Sequence, residues 1–221
     1  MIRGRLPRWR RAAVLLVVPG VVALTGCSRA VDGVPTAGPV ASPVTSPEEL
    51  EGLIVTEVAS GLPRLADDEL EPPAGAKRVE DVASYSDDPA RETEVLEDYG
   101  YRYGWERFWG ATGNGPVTSV FVDQFGSRAG AGAYAEDLAR NDAEHYRGML
   151  REDPPDLPGG CRMLTVDDAE PDLGLNGPAA FAWCGHGDFS VAVTAVADSV
   201  DEAEEEVRAV LADQLDLLPR A

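Results

Sequence analysis

Two stretches of this 221-residue chain share one plan, and that plan constrains the fold more than any other feature. Tyr101 to Trp109 alternates as a strand does, a turn follows at Thr112-Gly113-Asn114-Gly115-Pro116, and the β-branched run Val117 to Phe125 supplies a second strand. Ser127 then caps a helix expected to reach about Leu150, with Ala131, Tyr134, Ala135, Leu138 and Tyr146 near one face. The later unit has a strand at Ala179–Cys184, a tight Gly185-His186-Gly187-Asp188 turn and a strand at Phe189–Ala197. Ser199 and Glu202 form a capping box there, opening a helix that carries Val200, Ala203, Val207, Val210, Leu211 and Leu215. Hairpin then helix, twice over, predicts an α+β fold: an antiparallel sheet with helices packed on one face.

The segments around these units carry weaker signals. Ser46-Pro47-Glu48-Glu49 combines an N-cap serine, a first-turn proline and a glutamate placed to close a capping box, so a helix is expected through about Val58. Lys77 to Ser86 alternates weakly and reads as a strand or an irregular entry into the domain. Asp88-Pro89 starts another helix, with Val95, Leu96 and Tyr99 as its apolar stripe and Gly100 as its C-terminal glycine. A proline- and glycine-rich loop from Asp153 to Gly160 leads to a strand at Arg162–Val166.

The N-terminus is of another kind. Arg3, Arg5, Arg8, Arg10 and Arg11 precede an apolar stretch, Ala12 to Leu24, with no acidic residue among them. That is a signal peptide, too short and wrongly flanked for a transmembrane helix. Leu24-Thr25-Gly26-Cys27 has the form of a lipobox, and the arrangement resembles the signal of bacterial lipoproteins. The resemblance implies cleavage before Cys27, a diacylglycerol on its thiol, and attachment to the extracytoplasmic face of the cell membrane. The predicted organisation is a signal peptide over 1–26, a lipidated Pro/Ser/Thr-rich tether over 27–47 and one α+β domain over 48–221, its core at about 75–218.

Without the leader, 14 basic side chains face 39 acidic ones. A surface so negative repels phosphate backbones, which excludes nucleic acid as a partner and leaves the lipid as the membrane contact. With Cys27 consumed by lipidation, Cys161 and Cys184 are expected to form a disulfide in an oxidising compartment, worth about 3 kcal/mol in the chain-entropy model.

The most unusual local feature is the aromatic strand itself. Its alternation places Tyr101, Tyr103, Trp105, Arg107 and Trp109 on one face. Aromatic rings with a few fixed polar groups suit a sugar or lipid groove, and the same face suits packing beneath helices; Arg107 keeps the groove in view because a buried arginine needs a partner. Catalytic and metal motifs are absent: there is no G-x-S-x-G elbow, no S-x-x-K and no H-E-x-x-H, and His145 and His186 have no nucleophile beside them in the sequence. No cofactor is implied, and no catalytic or metal-binding residue is assigned.

The lipobox, the tether and an acidic α+β domain whose Phe189-x-Val191-x-Val193 strand runs into a capped helix look like the cell-envelope lipoproteins of actinobacteria. More loosely, the domain resembles the extracellular sensor domain of mycobacterial receptor Ser/Thr kinases and PsbP-like lipoproteins. It departs from those sensors in having one disulfide where they tend to have two, and it has no kinase domain. The resemblance implies binding or sensing of an envelope lipid, glycan or envelope protein. The alternatives are a protein-interaction or structural envelope module without a small-molecule pocket and, third, an envelope hydrolase.

Overall fold

The structure, a computed structural model, describes residues 44–110 and 115–219; the leader, Cys27, most of the tether and the turn from Ala111 to Asn114 lie outside the described residues. In chain order the elements are α1 (Pro47–Glu51), β1 (Gly75–Lys77), α2 (Val79–Ala83), α3 (Pro89–Tyr99), β2 (Tyr101–Gly110), β3 (Val117–Phe125), α4 (Arg128–Tyr146), β4 (Met149–Glu152), β5 (Cys161–Val166), β6 (Ala179–His186), β7 (Phe189–Val196) and α5 (Val200–Leu217). The strands form one antiparallel sheet in the order β1-β2-β3-β7-β6-β5-β4. This is the α+β class that the two hairpin-helix units predict. Among the described residues no helix is long and apolar enough to cross a membrane.

Local chemistry accounts for most boundaries. The Asp88 carboxylate accepts from the backbone N–H of Arg91 at 3.1 Å, and Gly100 ends α3 with φ of 79°. The Ser199 hydroxyl accepts from Glu202 N–H at 3.3 Å to open α5. Gly187, at φ 60°, supplies the left-handed residue of the two-residue connection between β6 and β7. Cys161 and Cys184 stand directly opposite on β5 and β6 and are joined by a disulfide, with Cα atoms 4.3 Å apart.

The expected single layer of helices is instead two. Met163, Ala180, Ala182, Val191, Val193 and Ala195 pack with Ala203, Val207, Val210 and Leu211 of α5. Their strand neighbours Leu164, Phe181 and Trp183 pack with Ala135 and Ala139 of α4 on the other side. The reason stands in β6: Ala179 to Cys184 is an unbroken apolar run, every residue of it buried, and such a strand needs cover on both faces. Small residues bring α4 close, since a Cβ on Gly185 would meet the Gly132 backbone at 3.0 Å.

Three further expectations are corrected. The N-terminal helix stops at Glu51 because Gly52 and the β-branched run Ile54-Val55-Thr56 disfavour another turn, and the chain to about residue 62 becomes an irregular strap that buries Ile54, Val55 and Val58. Helix α4 stops at Tyr146, where Arg147 turns left-handed at φ 53°, and Met149–Glu152 becomes an edge strand beside β5. Lys77 to Ser86 divides between the end of β1 and helix α2.

Candidate functional site

The aromatic strand is occupied by the protein's own chain. Tyr103 donates its hydroxyl to the Val44 carbonyl at 2.8 Å, and Arg107 Nη1 donates to the carbonyls of Val55 at 2.8 Å and Ile54 at 3.1 Å. Trp109 Nε1 reaches the Thr56 carbonyl at 3.4 Å. From α5, Gln214 accepts from Val55 N–H at 3.1 Å and donates to the Leu53 carbonyl at 2.7 Å. The Glu206 carboxylate accepts from the Ser60 N–H and hydroxyl, both at 2.7 Å, and from the Thr118 hydroxyl at 3.0 Å. Arg107 and Trp109 are 2% and 1% exposed and Trp105 is 7% exposed, so these residues anchor the strap and line no open groove. The partner that a buried arginine requires is a pair of backbone carbonyls; Glu51 stands only at 3.8 Å.

Tyr101 does not share that face. The β2–β3 register slips between Tyr101, opposite Phe125, and Tyr103, opposite Gln124. This bulge at Arg102 turns Tyr101 to the α4 side, against Phe125 with ring centres 5.6 Å apart.

On that α4 side lies a cleft of about 400 Å³, between α4 and the segment of α2. Strand β3 builds its floor by alternation: Ser119, Phe121 and Asp123 face the cleft while Val120 and Val122 go into the α5-side core. One wall is aromatic, a stack of Tyr146 on Phe181 at 5.0 Å and Phe181 on Trp183 at 5.7 Å with nearly parallel planes. Val82, Leu138 and Leu175 add aliphatic surface, and Tyr85 closes the far side.

The opposite end is acidic. Glu106, almost fully buried, pairs with Lys77 Nζ at 3.2 Å and accepts from the Tyr85 hydroxyl at 2.9 and 3.0 Å; Lys77 also donates to the Pro73 carbonyl. Burial raises the Glu106 carboxyl above its ordinary range, against the opposing pull of Lys77. Asp123 lies diagonally across on β3, and burial followed by the charge of Glu106 pushes its carboxyl up to about 7, with the nearby Tyr101 hydroxyl acting the other way. Gly104 makes this pairing feasible, since a Cβ there would land on the Asp123 carboxylate and the Tyr101 hydroxyl. On α4, burial raises the Asp142 carboxyl to about 6, with His145 opposing. No lysine, arginine or histidine is among the described residues that line the cleft.

A second hollow, of about 420 Å³, lies beside the start of α5, but its one buried acid, Glu206, is engaged by Ser60 and Thr118. Among the described residues no group of three acids, histidines or cysteines is placed to hold a metal ion. The cleft residues Glu106 and Asp123 were open to detection: each is the one acid of its strand, and Glu106 alternates with Arg107 onto the opposite face.

No protein-family model matches the chain, and no curated protein matches it. Among solved structures it is similar to the extracellular domain of PknH from Mycobacterium tuberculosis, at 13% identity over 79% of this chain and 98% of that one, with a TM-score of 0.49. That likeness assigns no residue a role.

Proposed function

We propose that this chain is a lipid-anchored protein of the extracytoplasmic membrane face whose domain binds or senses an envelope lipid or glycolipid in the cleft over β3. The observation that carries the reading is the cleft: a volume of about 400 Å³ with an aromatic wall at one end and fixed carboxyl and hydroxyl groups at the other. Small-molecule sites have this build, apolar in most of their lining with a few placed polar groups. The arginine-rich leader and the Leu24-Thr25-Gly26-Cys27 motif support the anchoring half of the proposal.

One observation favours a hydrolase instead, the Asp123 carboxyl held near neutrality beside Glu106. Glycoside hydrolysis needs two carboxyl groups free to face the substrate. Glu106 is engaged by Lys77 and Tyr85, and the third acid of the lining, Asp142, stands on α4 next to Tyr146, so a hydrolase would have to pair Asp123 with Asp142.

The test is native mass spectrometry of the purified chain after incubation with envelope extract. A discrete added mass is expected on the natural protein and is lost in Ala192→Trp, which fills the cleft from β7, where Ala192 is part of the lining, while the disulfide and far-UV spectrum remain. A clean mass from the natural protein contradicts the binding reading and favours an interaction module. An extract component converted to a smaller product favours the hydrolase.

A further inference from the structure

We propose that the ligand of this cleft is a cationic amphiphile, an apolar body bearing a protonated amine, and that the amine sits on Asp123 beside the Tyr101 hydroxyl. The proposal rests on the reading of the cleft as a binding site and names the chemistry it selects.

The cleft has an unbalanced charge. Glu106 is offset by Lys77 at 3.2 Å, and Lys77 is held there by the Pro73 carbonyl as well. The groups that act on Asp123 are the Tyr101 hydroxyl and the Glu106 carboxylate from β2 and the hydroxyls of Tyr85 and Tyr134, none of them a cation, and Asp142 adds a third carboxylate to the lining. Lining residues of the cleft include no basic side chain, so the counter-charge to Asp123 is absent from its walls. A ligand cation supplies it, and a buried carboxylate gains most from a partner that is both charged and a hydrogen-bond donor. An anionic head, whether carboxylate or phosphate, meets the uncompensated charge of Asp123 and is repelled. A neutral hydroxyl head satisfies lone pairs and leaves the charge unmatched.

The rest of the lining matches the apolar body. Tyr146, Phe181 and Trp183 form a continuous ring surface facing Leu175 and Leu138. At about 30 Å³ for each water-sized group, 400 Å³ holds roughly 13 such groups, a ten-carbon chain with its head. Gly104 belongs to the same arrangement, because any side chain there would displace the Asp123 carboxylate and the Tyr101 hydroxyl from their places.

The probes are decylammonium, decanol and decanoate, titrated calorimetrically into the purified full chain at neutral pH and low salt. Decylammonium is expected to bind about tenfold or more tighter than decanol, the yield of one charge-assisted hydrogen bond, and decanoate weakest of all. Asp123→Asn reduces the preference for decylammonium to about threefold or less, whereas Glu205→Gln, which removes one exposed charge from α5, leaves it intact. If decanol and decanoate bind as tightly as decylammonium, the cleft reads only the apolar body and the proposal falls while the binding function stands. If none of the three binds and no mass is captured from extract, the binding function itself fails. The ligand series on the natural chain decides the matter even if Asp123→Asn does not fold.

Discussion

Replacing Asp123 by Asn should stabilise the protein at alkaline pH and leave it little changed in acid. Burial, then the charge of Glu106, raises the Asp123 carboxyl from 3.8 to about 7. The folded protein therefore holds this proton more tightly than the unfolded chain does. Below about pH 4 both states are protonated and the side chain adds no cost. As pH rises through the window between the two values the unfolded chain releases its proton first, so stability falls, and above about pH 7 the full penalty remains. At about 1.4 kcal/mol per pH unit the interval corresponds to a ceiling of about 4 kcal/mol, and about half of that is the working expectation because the carboxyl keeps contact with water in the cleft. Asparagine has the same shape and no charge to bury. The assay is urea unfolding followed by tryptophan emission, run on both proteins from about pH 4 to about pH 8. Glu106 and Asp142 are also raised by burial and are present in both proteins, so the difference between the two curves reports Asp123 together with its coupling to Glu106. Parallel curves, or an Asn variant that is the less stable at pH 8, would refute the claim that the cleft holds a strained carboxylate.

Other outcomes follow from the strap and the cysteines. Arg107→Leu leaves the Ile54 and Val55 carbonyls without their donor and should cost about 2–4 kcal/mol, with new protease cleavage between residues 52 and 62 on limited digestion. Replacing Cys161 and Cys184 together by Ser should lower stability by about 3 kcal/mol in denaturant titration, the value for a loop with a separation of 23 residues. Cys27→Ala should release the protein to the medium or leave it unprocessed, read by fractionation and intact mass; a mature-mass protein still in the membrane fraction would contradict lipidation at that residue.

Elements whose signals are local were legible from residues alone. Helix α3 has its Asp88 cap and Gly100 stop within one segment, and the cysteine pair is a matter of counting. Both hairpins were visible in the alternation of β2 and β3 and in the glycine between β6 and β7. What escaped depends on distant partners. The slip at Arg102 follows from pairing with Gln124 and Phe125, and it moves Tyr101 off the face that strict alternation assigns. The strap is held by Arg107, Gln214 and Glu206, so a segment with no strong periodicity of its own covers the aromatic strand from sequence positions far from Gln214. The second helical layer did leave a trace, since the unbroken apolar run from Ala179 to Cys184 is what a strand buried on both faces carries. The candidate site lies on the less conspicuous face of the same strand: Tyr103, Trp105, Arg107 and Trp109 carry the aromatic signal, while Glu106 between them lines the cleft. Aromatic density marks burial as readily as it marks recognition.

The most direct measurement is a crystal structure of the chain recovered from incubation with envelope extract. Continuous density is expected in the cleft, its apolar part against Phe181 and Trp183 and its head within hydrogen-bond reach of Asp123 and Tyr101. A cleft filled only by water in a sample that carries an added mass, with the density lodged elsewhere on the molecule, would contradict the assignment of this cleft as the binding site.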